Sequence, residues 1–262
     1  MSLFLTTFNK SSIYDMLFFN VKSVLEHPTL EDLKNNKPEL FQRWKYISKI
    51  KYGVDFESGD SDLIRGTYEE KAIKLPEFTK IVCITYARVY SKDGGLKRDF
   101  KKITHLNEFD NIQIFMDVLH QISSDGMKST PKYFPVLCGY NIIANDIPLL
   151  IKRHIHYRNK FETNKQIPYL LKLTLDSKPW ESVVVDILNV WKFNGFDYAP
   201  LMLIAEHMGL KRTVDLIPDS ELSKYYWKNI DDNQEETLDY ITKQSINQTN
   251  LVIQFINEMR QL

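Results

Sequence analysis

Five short segments rich in β-branched and aromatic residues constrain the fold of this chain more than any other feature. They cover residues 13–24, 81–90, 98–106, 136–140 and 183–188. The turn Asp93-Gly94-Gly95 joins the second segment to the third as a β-hairpin. The last two segments alternate with stretches of helical periodicity. Hairpin strands followed by strand–helix alternation predict a mixed β-sheet flanked by α-helices, which is an α/β fold.

The predicted helices lie between and after these strands. Their ranges are 26–52, 111–122, a segment starting near Asp146, 201–208 with Gly209 as its C-terminal cap, and 235–259. Residues 53–62 and 123–135 are polar and are predicted to be loops. We find no internal repeat and no long linker, so we expect residues 1–262 to form one domain.

Composition excludes several classes of protein. Lys and Arg number 34, as do Asp and Glu, so the chain as a whole is not a polycation that binds nucleic acid through bulk charge. Its two cysteines, Cys83 and Cys138, are too few for a disulfide framework or a metal cage. No apolar stretch reaches the roughly 20 residues of a membrane span, and the first nine residues do not resemble a signal peptide. We therefore expect a cytoplasmic protein without membrane contact.

Motifs with an established chemical mechanism are absent. The chain contains no phosphate-binding glycine loop, no dinucleotide fingerprint, no H-E-x-x-H and no G-x-S-x-G. His154 and His156 lie in a basic segment, and their spacing fits a solvated helix face better than a pair of metal ligands. Asp146 lies just before Pro148, where its carboxylate is equally suited to capping a helix or to a catalytic role.

Five dispersed segments carry a resemblance to a known family. They read FFNVKSV (18–24), EKAIKLPEFTKIVCI (70–84), GYNIIANDIPLL (139–150), KPWESVVVDILNVWKFNGF (178–196) and YITKQSINQT (240–249). In wording and order they resemble the predicted 3′–5′ exonucleases related to the proofreading domain of family B DNA polymerases. That family belongs to the DEDD exonuclease superfamily, in the subtype with a tyrosine in the last motif. The resemblance implies a ribonuclease H-like fold, a mixed β-sheet flanked by α-helices.

The catalytic motifs of that family are degenerate in this chain. In the family, Asp-x-Glu on the first strand, an Asp in the second motif and Tyr-x-x-x-Asp in the last supply four carboxylates that bind two divalent metals, and the tyrosine orients the attacking water. The matching positions here are Asn20, Lys22, Asp146, Tyr240 and Gln244. The aromatic residue that precedes the second-motif aspartate in the family is replaced by Asn145.

The substitutions change the charge that a metal would meet. Strand alternation places Asn20 and Lys22 on one face, and Lys22 offsets the single charge of Asp146. Mg²⁺ relies on several carboxylate oxygens, so we expect no metal cofactor; Mg²⁺ or Mn²⁺ is expected at Asp146 only if the family activity survives. We also expect Asn20, Asp146 and Gln244 to converge on one cleft, and Lys22 to pair with Asp146 directly or through one water.

Basic residues interleaved with aromatic ones suggest where nucleic acid would contact the protein. The clusters are Arg43, Lys45, Lys49 and Lys51; Lys97, Arg98, Lys101 and Lys102; and Lys152, Arg153, Arg158 and Lys160. Phosphate contacts and base stacking use such residues, although an ordinary solvated surface has the same composition. Asn141, Lys152 and Arg153 are the candidate nucleic-acid-binding residues.

Three functions remain open at this point. The first is a catalytically degenerate exonuclease-like protein that binds a single-stranded end of DNA or RNA. The second is an active metal-dependent 3′–5′ exonuclease, and the third is a pseudoenzyme that binds another protein. The loss of three of the four metal-binding carboxylates favours the first.

Overall fold

A computed structural model describes residues 3–57, 60–130, 133–162, 166–176, 183–193, 195 and 198–261. The strands in this part of the chain are β1 (Met16–Leu25), β2 (Thr79–Lys92), β3 (Gly95–Ile103), β4 (Val136–Gly139) and β5 (Val184–Asp186). The helices are α1 (Leu3–Lys10), α2 (Leu30–Asn36), α3 (Pro38–Tyr52), α4 (Ser61–Lys71), α5 (Glu108–Lys128), α6 (Asp146–His156), α7 (Tyr169–Asp176), α8 (Ile187–Trp191), α9 (Leu201–His207), α10 (Asp219–Asn229) and α11 (Gln234–Met259).

The strands form one mixed five-stranded sheet in the order β3-β2-β1-β4-β5. The first three strands are antiparallel, while β4 and β5 continue the sheet in parallel with β1. Strand β1 is therefore central, and all of its side chains except Ser23 are buried because helices cover both faces. The prediction of an α/β fold with a mixed sheet flanked by helices is confirmed.

Period-two alternation along β1 separates two cores. Leu17, Phe19 and Val21 face the core formed with α5, α6 and α7. Met16 and Phe18 face the opposite core, which contains α8, α9 and the apolar second half of α11. Asn20 and Lys22 follow on this second face, toward α11, which confirms that they share one side of the strand.

A helical insertion connects β1 to β2. Residues 26–78 contain α2, α3 and α4 and pack around the fully buried Trp44, whose ring meets Tyr68 and Phe78 edge-on. Because it leaves β1 at the strand's carboxyl end, the insertion lies beside the edge of the sheet where the candidate site is found. Helix α10 packs on β1 from the other side through Leu222 and Tyr226.

The structure corrects several sequence predictions. Residues 123–128 continue α5 instead of starting a loop, since the Ser123 hydroxyl bonds back to the Leu119 carbonyl and permits helix in a polar stretch. The predicted helix over 26–52 is two helices, divided before Pro38. Helices α1, α4, α7, α8 and α10 were not predicted, and residues 187–188 of the predicted fifth strand begin α8, because Asp186 caps that helix through the Leu188 amide. Gly209 has the positive φ of 64° expected of a helix cap.

Parts of some predictions lie outside the described residues. These parts are residues 58–59 and 131–132 of the two predicted loops, and residues 178–182, 194 and 196 of the fourth resemblance segment. Within the described residues, no helix combines the length and the apolar character needed to cross a membrane.

Candidate functional site

The candidate site lies where β1 extends beyond the carboxyl end of β4. The two strands pair only from Met16 to Phe18 of β1, after which β4 ends at Gly139 and the backbone of β1 continues alone on that side. The strand order reverses at this point, and in open α/β sheets ligands bind outside the carboxyl ends of strands at such a reversal. A cavity of about 600 Å³ opens here. Its lining includes Asn20, Lys22, Asp146, Tyr198, Asp219 and Gln248.

Asp146 closes the free edge of β1. Its Oδ2 accepts a hydrogen bond from the Val21 amide at 3.0 Å and from Asn20 Nδ2 at 3.5 Å. The sequence left helix capping and catalysis open as roles for this carboxylate. Its described hydrogen bonds tie the start of α6 to β1 and do not cap α6. Burial raises the pKa of Asp146 to about 8, although the Val21 amide and the Lys22 charge act in the opposite direction. Burial thus favours the protonated form of this acid.

Asn20 joins Asp146 to α11. Its side chain is 4% exposed, and its Oδ1 accepts a hydrogen bond from the Ser245 hydroxyl at 2.8 Å. Thr85, its partner on β2, also bonds to Ser245, at 2.7 Å. A neutral amide can serve both neighbours because it offers a donor and an acceptor, whereas a carboxylate at position 20 would offer acceptors only.

Of the two expected ways of pairing Lys22 with Asp146, the direct ion pair is wrong, and the pair through one water stays a prediction. The buried ammonium donates to Gln248 Oε1 at 2.8 Å and to Asp219 Oδ1 at 3.3 Å. Residue 22 lies about 6.7 Å along the strand from residue 20, past the point where Asp146 docks. The start of α10 and the next turn of α11 supply its partners there.

Gln244 and Tyr240 lie behind the cavity wall. Gln244 donates to the Asp215 carbonyl at 2.9 Å and to the Tyr240 hydroxyl at 3.3 Å, and it accepts from the Ile217 amide at 3.3 Å. Among the described residues that line the cavity, neither of these two appears. The expected convergence therefore holds for Asn20 and Asp146, while Gln248 faces the cavity where Gln244 was expected.

Asp186 supports the site from the neighbouring strand. It ends β5, and its carboxylate accepts hydrogen bonds from the amides of Asn141, Ile143 and Leu188 at 2.7–3.1 Å. Burial raises its pKa, and the three amides oppose the shift. These bonds hold the loop between β4 and α6, in which Asn141 has a positive φ of 55°. Asp186 thus positions Asp146 and is not a second carboxylate of the cavity.

The three candidate nucleic-acid-binding residues fall in different environments. Asn141 and Lys152 line a groove of about 500 Å³ that adjoins the cavity and shares Asp146 with it. Lys152 is half exposed and pairs with Glu77 at 2.8 Å. Arg153 is 4% exposed and lies between Glu108 and Glu26, so its guanidinium holds α6 to the core and does not face solvent.

The histidine pair does not form a solvated face. His154 is 1% exposed and stacks against Phe161 with ring centroids 4.5 Å apart, while His156 is exposed. The segment was interpreted as solvated because it is basic, but its apolar neighbours place His154 on the buried side of α6.

Several cavity residues are not among those predicted from the sequence, including Tyr198, Gln248 and Asp219. Gln248 lies four residues after Gln244, and helical periodicity places both on one side of α11, so this position was open to inference. Asp219 follows Pro218 at the start of α10, and this proline followed by acidic residues is a helix-start signal that went unused.

The donor set of the cavity does not fit a pair of divalent metals. Its first-strand positions present an amide and an ammonium, so Asp146 is the one carboxylate left among the motif positions. Across the residues that the structure describes, no group of three or more His, Cys, Asp or Glu side chains is arranged to hold a metal ion. Hard cations need several oxygen ligands with negative charge, which these side chains do not provide.

Comparison with known proteins leaves the cavity as the main guide to function. No family model, no curated protein and no solved structure matches this chain.

Proposed function

We propose that this protein is a ribonuclease H-like relative of the 3′–5′ exonucleases that binds a single-stranded end of DNA or RNA without cutting it. The single observation that carries the proposal is the cavity at the carboxyl ends of β1 and β4, where Lys22 and Asn20 stand beside one buried acid. A five-stranded mixed sheet flanked by helices is compatible with the ribonuclease H-like fold that the sequence resemblance implies.

The cavity has the features that suit a single strand. Tyr198 lines both the cavity and the adjoining groove, its side chain is 61% exposed, and its ring lies 6.5 Å from that of Tyr140. An exposed aromatic ring beside a polar groove is a stacking surface for an unpaired base. Lys74 adds a positive charge at the rim, whereas the charge of the neighbouring Lys71 is offset by Glu70 at 3.6 Å.

The β2–β3 hairpin supplies a second attraction for phosphates. Residues 79–103 contain seven Lys and Arg against two Asp, although the whole chain is neutral. Arg88, Lys97, Arg98 and Lys101 are exposed there, together with Tyr90. Local positive charge of this kind binds nucleic-acid backbones independently of base sequence.

The same residues argue against hydrolysis. Two-metal hydrolysis depends on cations that stabilise the attacking and leaving oxygens. With Asn20 and Lys22 beside the single carboxylate of Asp146 in place of a carboxylate cluster, the motif positions lack the negative charge that would bring such cations in.

Binding and cleavage are tested separately. Fluorescence anisotropy of end-labelled single-stranded DNA and RNA should give saturable binding, and duplex without a free overhang should bind more weakly. Over the same concentrations, an Mn²⁺-supplemented nuclease assay should leave the strand intact.

A matched variant pair links binding to the cavity. Tyr198→Ala should weaken binding, whereas Tyr169→Ala, an exposed tyrosine on α7 away from the cavity, should not. Metal-dependent shortening of the strand by the wild-type protein would replace the proposal with an active exonuclease. Absence of binding to every strand would remove nucleic acid as the partner.

A further inference from the structure

Lys22 is a buried cation whose nearest anion is exposed. The residue is 6% exposed, and its ammonium contacts Asp219 at 3.3 Å, while the Asp219 side chain is 59% exposed. A buried ammonium requires a compensating partner. The two members of this pair are therefore held very differently.

The other partner of Lys22 belongs to the rigid part of the fold. Gln248 lies on α11, whose neighbouring turns are fixed to the sheet through Ser245 and Thr249. Asp219 is the first residue of α10 and lines the cavity from its rim. Gln248 can hold the ammonium in place while Asp219 turns toward solvent. The position that Asp219 occupies is then open to another anion.

We propose that Lys22 is an anion-binding residue and that Asp219 is its built-in counter-ion, which a phosphate group of the ligand displaces. This inference rests on the proposed function for the identity of the ligand, a phosphate of a nucleic-acid strand, but the exchange itself is a property of the Lys22–Asp219 pair. Asp219 thereby lowers the apparent affinity of Lys22 for other anions, because a ligand phosphate must displace the Asp219 carboxylate in order to bind.

Asp219→Asn removes the competing charge and keeps the shape of the side chain. Single-stranded oligonucleotide should bind this variant about fivefold more tightly than the wild type, the scale of a partly exposed ion pair. Lys22→Met removes the cation without leaving a buried charge, and it should weaken binding at least about tenfold. Circular dichroism and thermal unfolding confirm that each variant is folded.

The double variant shows whether Asp219 acts through Lys22. In the Lys22→Met background, Asp219→Asn should change affinity less than twofold, because no cation remains to be released. A gain of equal size in both backgrounds would mean that Asp219 merely repels the ligand, and the exchange would be rejected. Glu221→Gln is the matched control, because Glu221 is an exposed acid in the same first turn of α10 and should leave affinity unchanged.

Inorganic phosphate tests the exchange without a nucleic acid. Phosphate should raise the melting temperature of Asp219→Asn more than that of the wild type. It should not change the melting temperature of Lys22→Met. If phosphate behaves in this way but no strand binds, the anion site stands and the proposed function falls. If strands bind with equal affinity to the wild type and Asp219→Asn, the proposed function stands and the exchange is overturned.

Discussion

At the scale of single residues, the cavity replaces charge with hydrogen bonds. Asn20 bonds to both Asp146 and Ser245, and Lys22 bonds to Gln248 and Asp219. Together these four contacts link β1 to three helices, α6, α10 and α11, so side chains at the positions of metal ligands now hold the cavity walls together. Asp146 is the one acid left at the positions of the family's metal ligands, and burial favours its neutral form.

The buried acid gives stability a specific dependence on pH. The pKa of Asp146 is about 8 in the folded protein, against 3.8 as its ordinary value. The folded state therefore retains a proton that the unfolded state loses, and the contribution to stability falls as pH rises from about 4 to about 8. Asp146→Asn removes this loss, so the stability of the variant relative to the wild type should rise by about 5 kcal/mol between pH 4 and pH 8.

Urea unfolding at several pH values measures this difference. Asp186 also has a raised pKa, and its charge is one of the causes that raise the pKa of Asp146, so the comparison reports on the two buried acids together. Parallel stability profiles for the wild type and Asp146→Asn would show that Asp146 ionises in the folded state as readily as in the unfolded one.

At the scale of secondary-structure elements, α11 changes character along its length. Up to Thr249, the helix presents Thr242, Ser245 and Thr249 to the sheet, where they bond to Cys83 and Thr85. Its second half buries apolar side chains in the core beneath β1. The polar part up to Thr249 forms one wall of the cavity, and its position along the helix axis relative to β1 decides whether residue 244 or residue 248 faces Lys22.

The position of α11 along β1 predicts which designed carboxylate binds metal. Asn20→Asp and Lys22→Glu combined with Gln248→Glu should bind Mn²⁺ more tightly than the same two changes combined with Gln244→Asp. Position 248 faces the cavity, whereas Gln244 is held by the backbone of residues 215 and 217. Calorimetric titration of Mn²⁺ into both triple variants makes the comparison, with the wild type expected to bind least.

Equal or reversed Mn²⁺ affinities of the two triple variants would show that α11 has a different register against β1. The Gln244→Asp variant should also be less stable than its counterpart. Its shorter side chain does not reach the Asp215 carbonyl and the Ile217 amide together, which leaves buried polar groups without partners.

The elements show what the sequence could and could not predict. Strands β1 to β5 and the long α11 were predicted because burial on a sheet or along one helix face leaves a periodic pattern. Helix α10 was missed because its apolar face is short, and with it Asp219 as the partner of Lys22. The partner of Lys22 is determined by the place where β1, α10 and α11 meet. A local sequence pattern contains no information about such a meeting point.

The outcome for Arg153 has a similar cause. Lys152 and Arg153 are adjacent in a basic segment, yet one is half exposed and the other buried. Helix α6 turns by about 100° per residue, so neighbours in sequence face different surroundings. Arg153 meets Glu108, a residue of α5 that is also buried.

At the scale of the whole molecule, the chain has no net charge, but positive charge is concentrated on the β2–β3 hairpin. The β2–β3 hairpin has an excess of five positive charges, and β3 forms the outer edge of the sheet. Of its exposed cations, Lys101 contacts an acid within the described residues, Asp99 at 3.3 Å. Two consequences of this charge can be distinguished. Cations on an edge strand discourage pairing with other chains, and they also attract phosphates.

The salt dependence of binding separates these two consequences. Lys97→Gln with Lys101→Gln should reduce the slope of log affinity against log salt by about 1.4, because each phosphate contact to a single strand contributes about 0.7. Lys211→Gln with Lys228→Gln removes two exposed charges elsewhere and should leave the slope unchanged. If the hairpin variant keeps the wild-type slope but aggregates more readily, the cations protect the sheet edge and take no part in binding. A reduced slope at unchanged solubility would place the strand along the hairpin as well as in the cavity.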